Sequence, residues 1–361
     1  MQIGLFCEME TDPEVYTEYD IWHNTLKQIE AADKLGFDAV WVVEHHFTPG
    51  YSHSACQEVL FGAASQRTER IRLGTAVRLL PMHDPIRTAE RIAAVDILSN
   101  GRVEFGIGRG VAEREFKIWN TPAPYGATNE ASRKRFLEYI DVIKKCWTEE
   151  SFTYDGDLIK IHEPVTVVPK PVQKPHPRIW SPASSPASTE AYLKMGIHMM
   201  TATILGGFPE ATAATTAMGR KIWEEAGHAE REPLQVGCLV PVHCARTREL
   251  AKEEMRPYEE RYMQLLAKFF APPTPEEAAV RKAAMPEGTV PYWEKPPTFD
   301  EAYAGRMMII GDPDDCIREV KEYEKAGVTM IQGAFQLGGM PHDMVMESIK
   351  LFGDEVIPNL A

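Results

Sequence analysis

The segment Trp41-Val42-Val43-Glu44-His45-His46-Phe47 ends an apolar run with one carboxylate and two imidazoles. Its apolar part predicts a buried strand, and Leu35-Gly36-Phe37-Asp38 before it predicts the end of a helix and a short turn. The residues that follow are rich in polar groups, which is typical of a functional loop. We therefore expect the chemistry of this protein at the C-terminal end of this strand.

The same order of strand, loop and helix recurs along the chain. Strands are predicted at residues 2–8, 38–44, 71–77, 102–108, 178–182, 198–203, 234–242 and 328–335. Apolar residues at helical spacing predict helices at 25–35, 55–67, 85–98, 130–147, 187–195, 210–226, 248–270, 314–325 and 342–352. Eight repeats of this kind predict an α/β fold, the (β/α)8 TIM barrel, whose active sites lie at the C-terminal ends of the strands.

Two stretches interrupt the repeat. The first, at about 151–177 after the fourth strand, contains the hairpin signal Tyr154-Asp155-Gly156-Asp157 and several prolines. The second, at about 271–305 before the eighth strand, is rich in Pro, Glu and Lys, and loops of this length are usually lids or disordered insertions. Because barrels with insertions exceed 250 residues, we expect one domain over residues 1–361.

Composition limits the class of protein and its partners. Hydrophobic residues make up 44% and charged residues 25% of the chain, as in globular proteins. A net charge of −14 argues against nucleic acid or an anionic membrane as partner. We see neither a signal peptide nor a transmembrane segment, and the six cysteines include no Cys-x-x-Cys pair, so we expect a cytoplasmic protein.

The adjacent imidazoles of His45 and His46 suggest a metal site at first sight. Successive side chains on a strand point to opposite faces, however, so the pair does not easily share one ion, and we predict no metal. Two interpretations remain. In the first, both rings are hydrogen-bonded residues at the barrel rim. In the second, one of them is a general base or hydrogen-bond donor at the end of the strand.

Two further motifs suggest a bound anion. The segment Phe105-Gly106-Ile107-Gly108-Arg109-Gly110 lacks the third glycine of a dinucleotide fingerprint. Its glycines let the backbone approach a flat or phosphorylated ligand with Arg109 as charge partner, the alternative being a rim turn with a salt bridge. The hydroxyls of Ser184-Ser185-Pro186-Ala187-Ser188-Thr189 predict a phosphate site at a helix start, or simple N-capping. Arg133 is either the counter-charge or a solvated arginine.

These motifs occur in a characteristic order. They are Glu44-His45-His46-Phe47-Thr48, Gly74-Thr75-Ala76, His83-Asp84-Pro85-Ile86-Arg87, Asn100-Gly101-Arg102, the segment from Phe105 to Gly110, and the end of the chain from Ser348 to Leu360. Over nearly its whole length the chain thereby resembles the bacterial luciferase-like flavin-dependent monooxygenases, in particular the luciferase alpha subunit, in which both histidines follow the glutamate.

The resemblance implies a function and a set of site residues. It implies that reduced FMN, supplied by a separate flavin reductase, reacts with dioxygen to form a flavin hydroperoxide, which oxygenates a small organic substrate that we expect to be apolar. The implied catalytic residue is His45, with Glu44 and His46 beside it. The implied cofactor-binding residues are Ala76 and Val77, joined by a cis peptide, and Arg109, Arg133, Ser184, Ser185 and Ser188.

The chain also departs from luciferase. It has Gly108 in place of a reactive cysteine and Glu115 in place of a nearby aspartate, so light emission is not expected. The stretch 272–305 matches a mobile loop and is expected to be a lid. Family likeness implies a homodimer. A deazaflavin-dependent oxidoreductase and a non-catalytic flavin-binding homologue remain alternatives on the same scaffold.

Overall fold

Eight parallel strands form a closed barrel in the computed structural model. The structure describes residues 1–123, 128–182, 185–203, 209–272, 274–283 and 290–360. At residues 113 and 209–211 only the backbone is described. The barrel strands are β1 (Gln2–Cys7), β2 (Ala39–Val42), β3 (Arg72–Thr75), β4 (Val103–Gly108), β5 (Arg178–Pro182), β6 (His198–Ala202), β7 (Val236–Cys244) and β8 (Met330–Ala334). Each pairs in parallel with its neighbours, and β8 closes the ring between β7 and β1. The predicted (β/α)8 TIM barrel is confirmed.

Helices surround the barrel. They are α1 (Glu18–Lys34), α2 (Gln57–Ser65), α3 (Pro85–Leu98), α4 (Glu113–Trp119), α5 (Asn129–Thr148), α6 (Pro186–Lys194), α7 (Pro209–Glu225), α8 (Arg248–Phe270), α9 (Pro275–Ala283), α10 (Phe299–Ala304), α11 (Pro313–Lys325) and α12 (His342–Leu351). The first begins at Glu18 rather than at the predicted residue 25, because Thr17 and Asp20 form a capping box there. Within the described ranges, no helix combines the length and the apolarity needed to cross a bilayer.

Both insertions contain regular structure. The first holds the predicted hairpin, with strands Phe152–Asp155 and Lys160–Val165. The second includes α9 and α10, so it is not irregular throughout. Three other elements were not predicted, namely α4 and two short strands, Arg78–Leu79 beside β4 and Ile309–Gly311 beside β7. These elements have 7, 2 and 3 residues, which is too short for a periodic pattern to be visible.

Large and small side chains complement each other inside the barrel. The indole rings of Trp41 and Trp180 meet edge to face at a centroid distance of 5.2 Å, and both are fully buried. A Cβ atom at Gly74 would lie 2.3 Å from the Trp41 ring, and one at Gly4 would lie 2.9 Å from it. The glycines of β1 and β3 therefore make room for the tryptophan of β2.

A third glycine allows a close backbone approach below the predicted site. A Cβ at Gly106 would lie 1.9 Å from the carbonyl oxygen of Thr75, which cannot move without disturbing β3. We expect Gly106→Ala to lower the free energy of unfolding by about 3 kcal/mol because the strands must separate. Chemical denaturation measures this value. Gly62→Ala in α2, where no atom lies within 4 Å, is the control and should raise it by roughly 1 kcal/mol. Equal effects at both positions would contradict the close-contact explanation.

Candidate active site

Five of the predicted site residues line a cavity at the C-terminal face of the barrel, namely Glu44, His45, Ala76, Val77 and Arg109. Two cavities lie there, an outer one of about 480 Å³ and an inner one of about 290 Å³. The outer cavity reaches the rim at Arg109 and Arg281, and the inner cavity reaches into the barrel between Phe6 and Gln332. Both are lined by His45, Ala76, Val77, Val111, Pro182 and Phe270. The two cavities are thus continuous neighbours around His45.

Glu44 is the centre of a buried hydrogen-bond network. It is 1% exposed, and its Oε1 contacts the Nε2 atoms of both His46, at 3.1 Å, and His83. Its Oε2 accepts from the backbone N–H of Leu79 at 3.0 Å and lies 3.4 Å from Nη1 of Arg78. Burial alone would raise the pKa of Glu44, but the hydrogen bonds from the two histidines and the charge of Arg78 hold it well below its usual value.

The same three side chains could be taken for a metal site, since ligand atoms of Glu44, His46 and His83 lie within 4.8 Å of one another. Both imidazoles, however, meet the same carboxylate oxygen. Arg78 adds a fixed positive charge 3.4 Å from Glu44 and 3.3 Å from Nδ1 of His83, which opposes a second cation. We therefore interpret the group as a hydrogen-bond network, and the absence of a metal stays a prediction.

His45 faces the cavities instead of this network. Its ring packs against Phe269 and Tyr51 at centroid distances of 4.8 and 5.4 Å, and 14% of its side chain is exposed. Nδ1 lies 3.7 Å from Oε1 of Glu115 and has no hydrogen-bond partner among the described residues. The carboxylate of Glu44 instead contacts the rings of His46 and His83. His45 is therefore the histidine of the pair that can meet a ligand in both cavities.

Glu115 links α4 to the histidine loop. Its Oε1 accepts from the backbone N–H of His46 at 2.7 Å, while its Oε2 has no partner in the described structure. The residue is fully buried. Sequence reasoning noted Glu115 only as a departure from luciferase, because α4 was not predicted. The geometry makes it the carboxylate nearest to the free nitrogen of His45.

Sequence reasoning also gave no role to Arg78 and His83, although both complete the Glu44 network. Two features of the sequence could have drawn attention to these residues. Arg78 follows directly on the Ala76-Val77 pair, and His83 begins the turn His83-Asp84-Pro85 before α3. In a barrel, β2 and β3 are neighbours, so loops after them meet. The side-chain contacts themselves depend on the short strand Arg78–Leu79, which no sequence pattern indicated.

The backbone beside the outer cavity is held close by small residues. The peptide bond between Ala76 and Val77 is cis. A Cβ at Gly108 would lie 2.4 Å from Cγ2 of Val77, and Gly110 has a φ of 86°, where a side chain is unfavourable. A cysteine at position 108 would thus collide with Val77, which gives a structural reason for the glycine. All four residues line the outer cavity.

The arginines predicted to bind phosphate lie near α6 but have protein partners. Arg109 donates to Oδ1 of Asn129 at 2.8 Å. Arg133 forms an exposed ion pair with Glu130 at 3.0 Å. Burial raises the pKa of Tyr192 in α6, and the charges of Arg109 and Arg133 oppose that rise, so both guanidinium groups lie within electrostatic range of this helix. Both arginines therefore lie near α6, and phosphate binding by them stays a prediction.

The predicted serines lie at the first turn of α6. Ser185 is its N-cap, and its Oγ accepts from the backbone N–H of Ser188 at 3.3 Å. The two hydroxyls lie 2.7 Å apart. N-capping therefore accounts for Ser185, and phosphate binding by either serine stays a prediction. Ser184 lies outside the described residues.

Comparison with known sequences places this architecture in a family. The sequence profile of the luciferase-like monooxygenases matches residues 1–330. The alkanal monooxygenase alpha chain of Photorhabdus laumondii subsp. laumondii is 24% identical over 369 residues, covering 100% of this chain and 98% of that protein. The oxygenase component of a flavin-dependent trigonelline monooxygenase from Acinetobacter baylyi is 29% identical over 199 residues, covering 55% of this chain and 53% of that protein. Some matches thus span about half of the relative's length.

Solved structures share the fold over the full chain. Monooxygenase RslO1 from Streptomyces bottropensis has a TM-score of 0.84 at 25% identity, with 100% of both chains covered. At 18% identity, the FMN complex of the oxygenating constituent of 3,6-diketocamphane monooxygenase from Pseudomonas putida has a TM-score of 0.76 and coverage of 100% and 99%. An F420-dependent secondary alcohol dehydrogenase, at 21% identity, has a TM-score of 0.71 and the same coverage. The last two show the fold alone. The profile match over residues 1–330 decides the family: the chain belongs to the luciferase-like monooxygenases.

Proposed function

We propose that this protein is a flavin-dependent monooxygenase that uses reduced FMN and dioxygen to oxygenate a small, largely apolar organic substrate. One observation carries the proposal: His45 lines both a rim cavity with glycine backbone and arginine side chains and an inner cavity of mainly apolar lining. The first suits a flavin and its phosphate, and the second suits an apolar substrate.

The residues present fit FMN. Gly108 and Gly110 line the outer cavity beside the small side chains of Ala76 and Val77, and this cavity of about 480 Å³ suits a flat ring system. Arg109 lines the outer cavity, and the hydroxyl-capped start of α6 offers an electropositive end for a phosphate. The family membership favours a flavin, while FMN itself is our choice from this site.

Bound reduced FMN would supply the electrons that activate dioxygen. The protein's own contribution centres on His45, whose ring can hold or transfer a proton at the cavity and whose Nδ1 lies 3.7 Å from the carboxylate of Glu115. Phe270, the last residue of α8, and Arg281, in α9, line the outer cavity and would limit the access of water to it.

The proposal includes partners. The chain contains no credible nicotinamide fingerprint, so reduced FMN comes from a separate flavin reductase, as the term oxygenase component implies for the trigonelline enzyme. We further propose a cytoplasmic homodimer, on family likeness. Light scattering during size exclusion measures the assembly.

The function is tested by isotope incorporation. Purified protein is supplied with FMN, a flavin reductase, NADH and ¹⁸O₂, and a set of aldehydes, ketones, alkanes and terpenes is screened by mass spectrometry. Incorporation of one ¹⁸O atom that depends on both the protein and FMN is the expected result. In parallel, FMN and a deazaflavin are titrated onto the cofactor-free protein. Binding of deazaflavin alone, with hydride transfer without oxygen, would overturn the proposal. FMN binding without any product would instead favour the non-catalytic alternative.

Loss of Arg109 should weaken FMN binding specifically. We expect Arg109→Ala to raise the Kd for FMN about 10- to 100-fold, because a charge-assisted hydrogen bond to the phosphate is lost. Quenching of flavin fluorescence measures the Kd. Riboflavin, which lacks the phosphate, should bind both proteins equally. Arg87→Ala is the matched control, since its side chain is 67% exposed on α3. An unchanged Kd for FMN in Arg109→Ala would remove this residue from the phosphate site.

A further inference from the structure

A basic cavity of about 260 Å³ lies at the N-terminal face of the barrel, at the opposite end of the strands from the candidate active site. Arg72, Arg178 and His198, which line it, are the first residues of β3, β5 and β6. Most of the remaining lining comes from two connecting segments, 173–176 before β5 and 231–232 before β7. The cavity is therefore separate from the proposed flavin site.

Positive charges outnumber negative ones around this cavity. Four fixed cations line it, namely Arg72, Lys174, Arg178 and Arg231. Among the described residues, their ion pairs involve only two carboxylates, those of Glu232 in the lining and of the buried Glu104. The whole chain, in contrast, has a net charge of −14. A concave site with an excess of positive charge raises the local concentration of anions.

Two guanidinium groups at the cavity have N–H groups to spare. Arg178 donates through Nε to Glu232 at 2.9 Å and through Nη1 to Glu104 at 3.1 Å, and its Nη2 makes no hydrogen bond in the described ranges. Within the same ranges, Arg231 donates only through Nη2, to Oε1 of Glu232 at 2.8 Å. Guanidinium N–H groups form a planar fork that matches two oxygens of a phosphate. Both arginines therefore have donors left for an oxyanion.

His198 adds a buried donor. The residue is 1% exposed, and its ring stacks on Trp223 at a centroid distance of 4.7 Å. Nδ1 accepts from the backbone N–H of Gln235 at 3.2 Å, so the proton of the neutral ring lies on Nε2. Nε2 lies 3.6 Å from Oε1 of Glu232, too far for a hydrogen bond, and has no hydrogen-bond partner in the described structure. An unpaired buried donor is unfavourable, and a ligand oxygen in the cavity would satisfy it.

We propose that this cavity binds a phosphate group, either as inorganic phosphate or at the end of a small phosphomonoester. The dianion would meet the spare N–H groups of Arg178 and Arg231 and the Nε2–H of His198, and it would neutralise the positive excess. A volume of about 260 Å³ is just below the usual size of small-molecule sites, about 300 to 1,000 Å³, and so admits a small ester. The inference goes beyond the proposed function, because it requires neither flavin nor dioxygen.

Calorimetric titration with inorganic phosphate tests the inference. The protein is the Arg109→Ala variant, so that Arg109 cannot hold phosphate in the outer cavity, and chloride keeps the ionic strength constant. We expect saturable binding of one phosphate per chain. Adding Arg231→Gln should raise the Kd about tenfold, because a charge-assisted hydrogen bond is lost at a side chain that is 51% exposed. Arg67→Gln is the matched control and should leave the Kd unchanged, since its side chain is 44% exposed, pairs with Glu30 at 3.1 Å and lies outside the cavity lining.

Two further variants separate phosphate binding from a purely structural role, which is common for residues at this face of a barrel. His198→Phe keeps an aromatic ring beside Trp223 but removes the donor, and it should also raise the Kd about tenfold. Glu232→Gln removes the like charge and should lower the Kd by about threefold or more, whereas a structural ion-pair cluster would only lose stability, which urea denaturation measures.

A parallel titration with glycerol 3-phosphate distinguishes the two sources of phosphate. Tighter binding of the ester than of inorganic phosphate would identify a phosphomonoester as the ligand, and equal or weaker binding would identify inorganic phosphate. Glycerol alone should not bind. The absence of saturable phosphate binding, or equal changes in Kd for Arg231→Gln and Arg67→Gln, would overturn the inference. Neither result bears on the oxygenase activity, so the proposed function stands or fails separately.

Discussion

Replacing His45 with asparagine is expected to lower the rate of oxygen-dependent product formation by at least about 100-fold, while FMN affinity stays within about threefold of the wild type. Proton transfer by a positioned imidazole contributes about 10²- to 10⁴-fold to a rate. Asparagine is close to histidine in size and hydrogen bonding but cannot take up a proton. The rate is measured with FMN and reductase at saturation, so that loss of cofactor cannot imitate loss of catalysis.

The two neighbouring histidines have different surroundings. His46 is bound to Glu44 at 3.1 Å, whereas His45 faces the two cavities and leaves Nδ1 unpaired in the described structure. His162→Asn, in the exposed hairpin after α5, removes an imidazole far from the cavities and should leave the rate unchanged. Full activity of His45→Asn would contradict the assignment and favour a role as a rim residue.

The distinction between the two histidines was only partly contained in the sequence. Strand alternation predicts that His45 and His46 point apart, and it thereby argues against a shared metal ion. It does not tell which of them faces the ligand. That depends on the loop after β3. There Arg78 and His83 contact the carboxylate of Glu44, which also binds the ring of His46. Resemblance to the family predicted His45 as the catalytic residue. The position of its ring beside the two cavities gives a physical reason for this prediction.

The barrel itself was predictable because its eight strands are largely buried and the long helices around it have an apolar face, so both patterns are visible along the chain. The inner cavity was not predictable from such patterns. Glu8, which lines it, ends an apolar strand with a carboxylate, as Glu44 does, and this signal could have drawn attention to it. Gln332 stands in the middle of β8, and only the parallel register that opposes it to Gly4 places the two ends of the chain at one cavity. Such long-range convergence follows from closure of the sheet, which no local pattern encodes.

The second large effect is expected on stability. We predict that Glu44→Gln lowers the free energy of unfolding by about 3 kcal/mol at neutral pH. Removing one member of a buried charged network leaves the others unpaired, and Arg78 is itself buried. An amide also places an N–H group where Glu44 accepts from His46, His83 and the N–H of Leu79. Urea denaturation followed by circular dichroism measures the difference.

The pH dependence of this difference provides an independent check. The pKa of Glu44 is lowered in the folded protein, so its contribution to stability is fully present above its unfolded pKa of about 4.3 and is lost as the pH falls through the folded pKa. The difference in the free energy of unfolding between wild type and Glu44→Gln should therefore be constant from about pH 6 to 7 and shrink toward pH 3.

Glu58→Gln is the matched control. Its side chain also pairs with Arg78, at 3.1 Å, but is 17% exposed, so a loss of only about 1 kcal/mol is expected. If the difference between wild type and Glu44→Gln in the free energy of unfolding increased at acid pH, Glu44 would be neutral in the folded protein. That result would contradict the interpretation of its surroundings as a charged network.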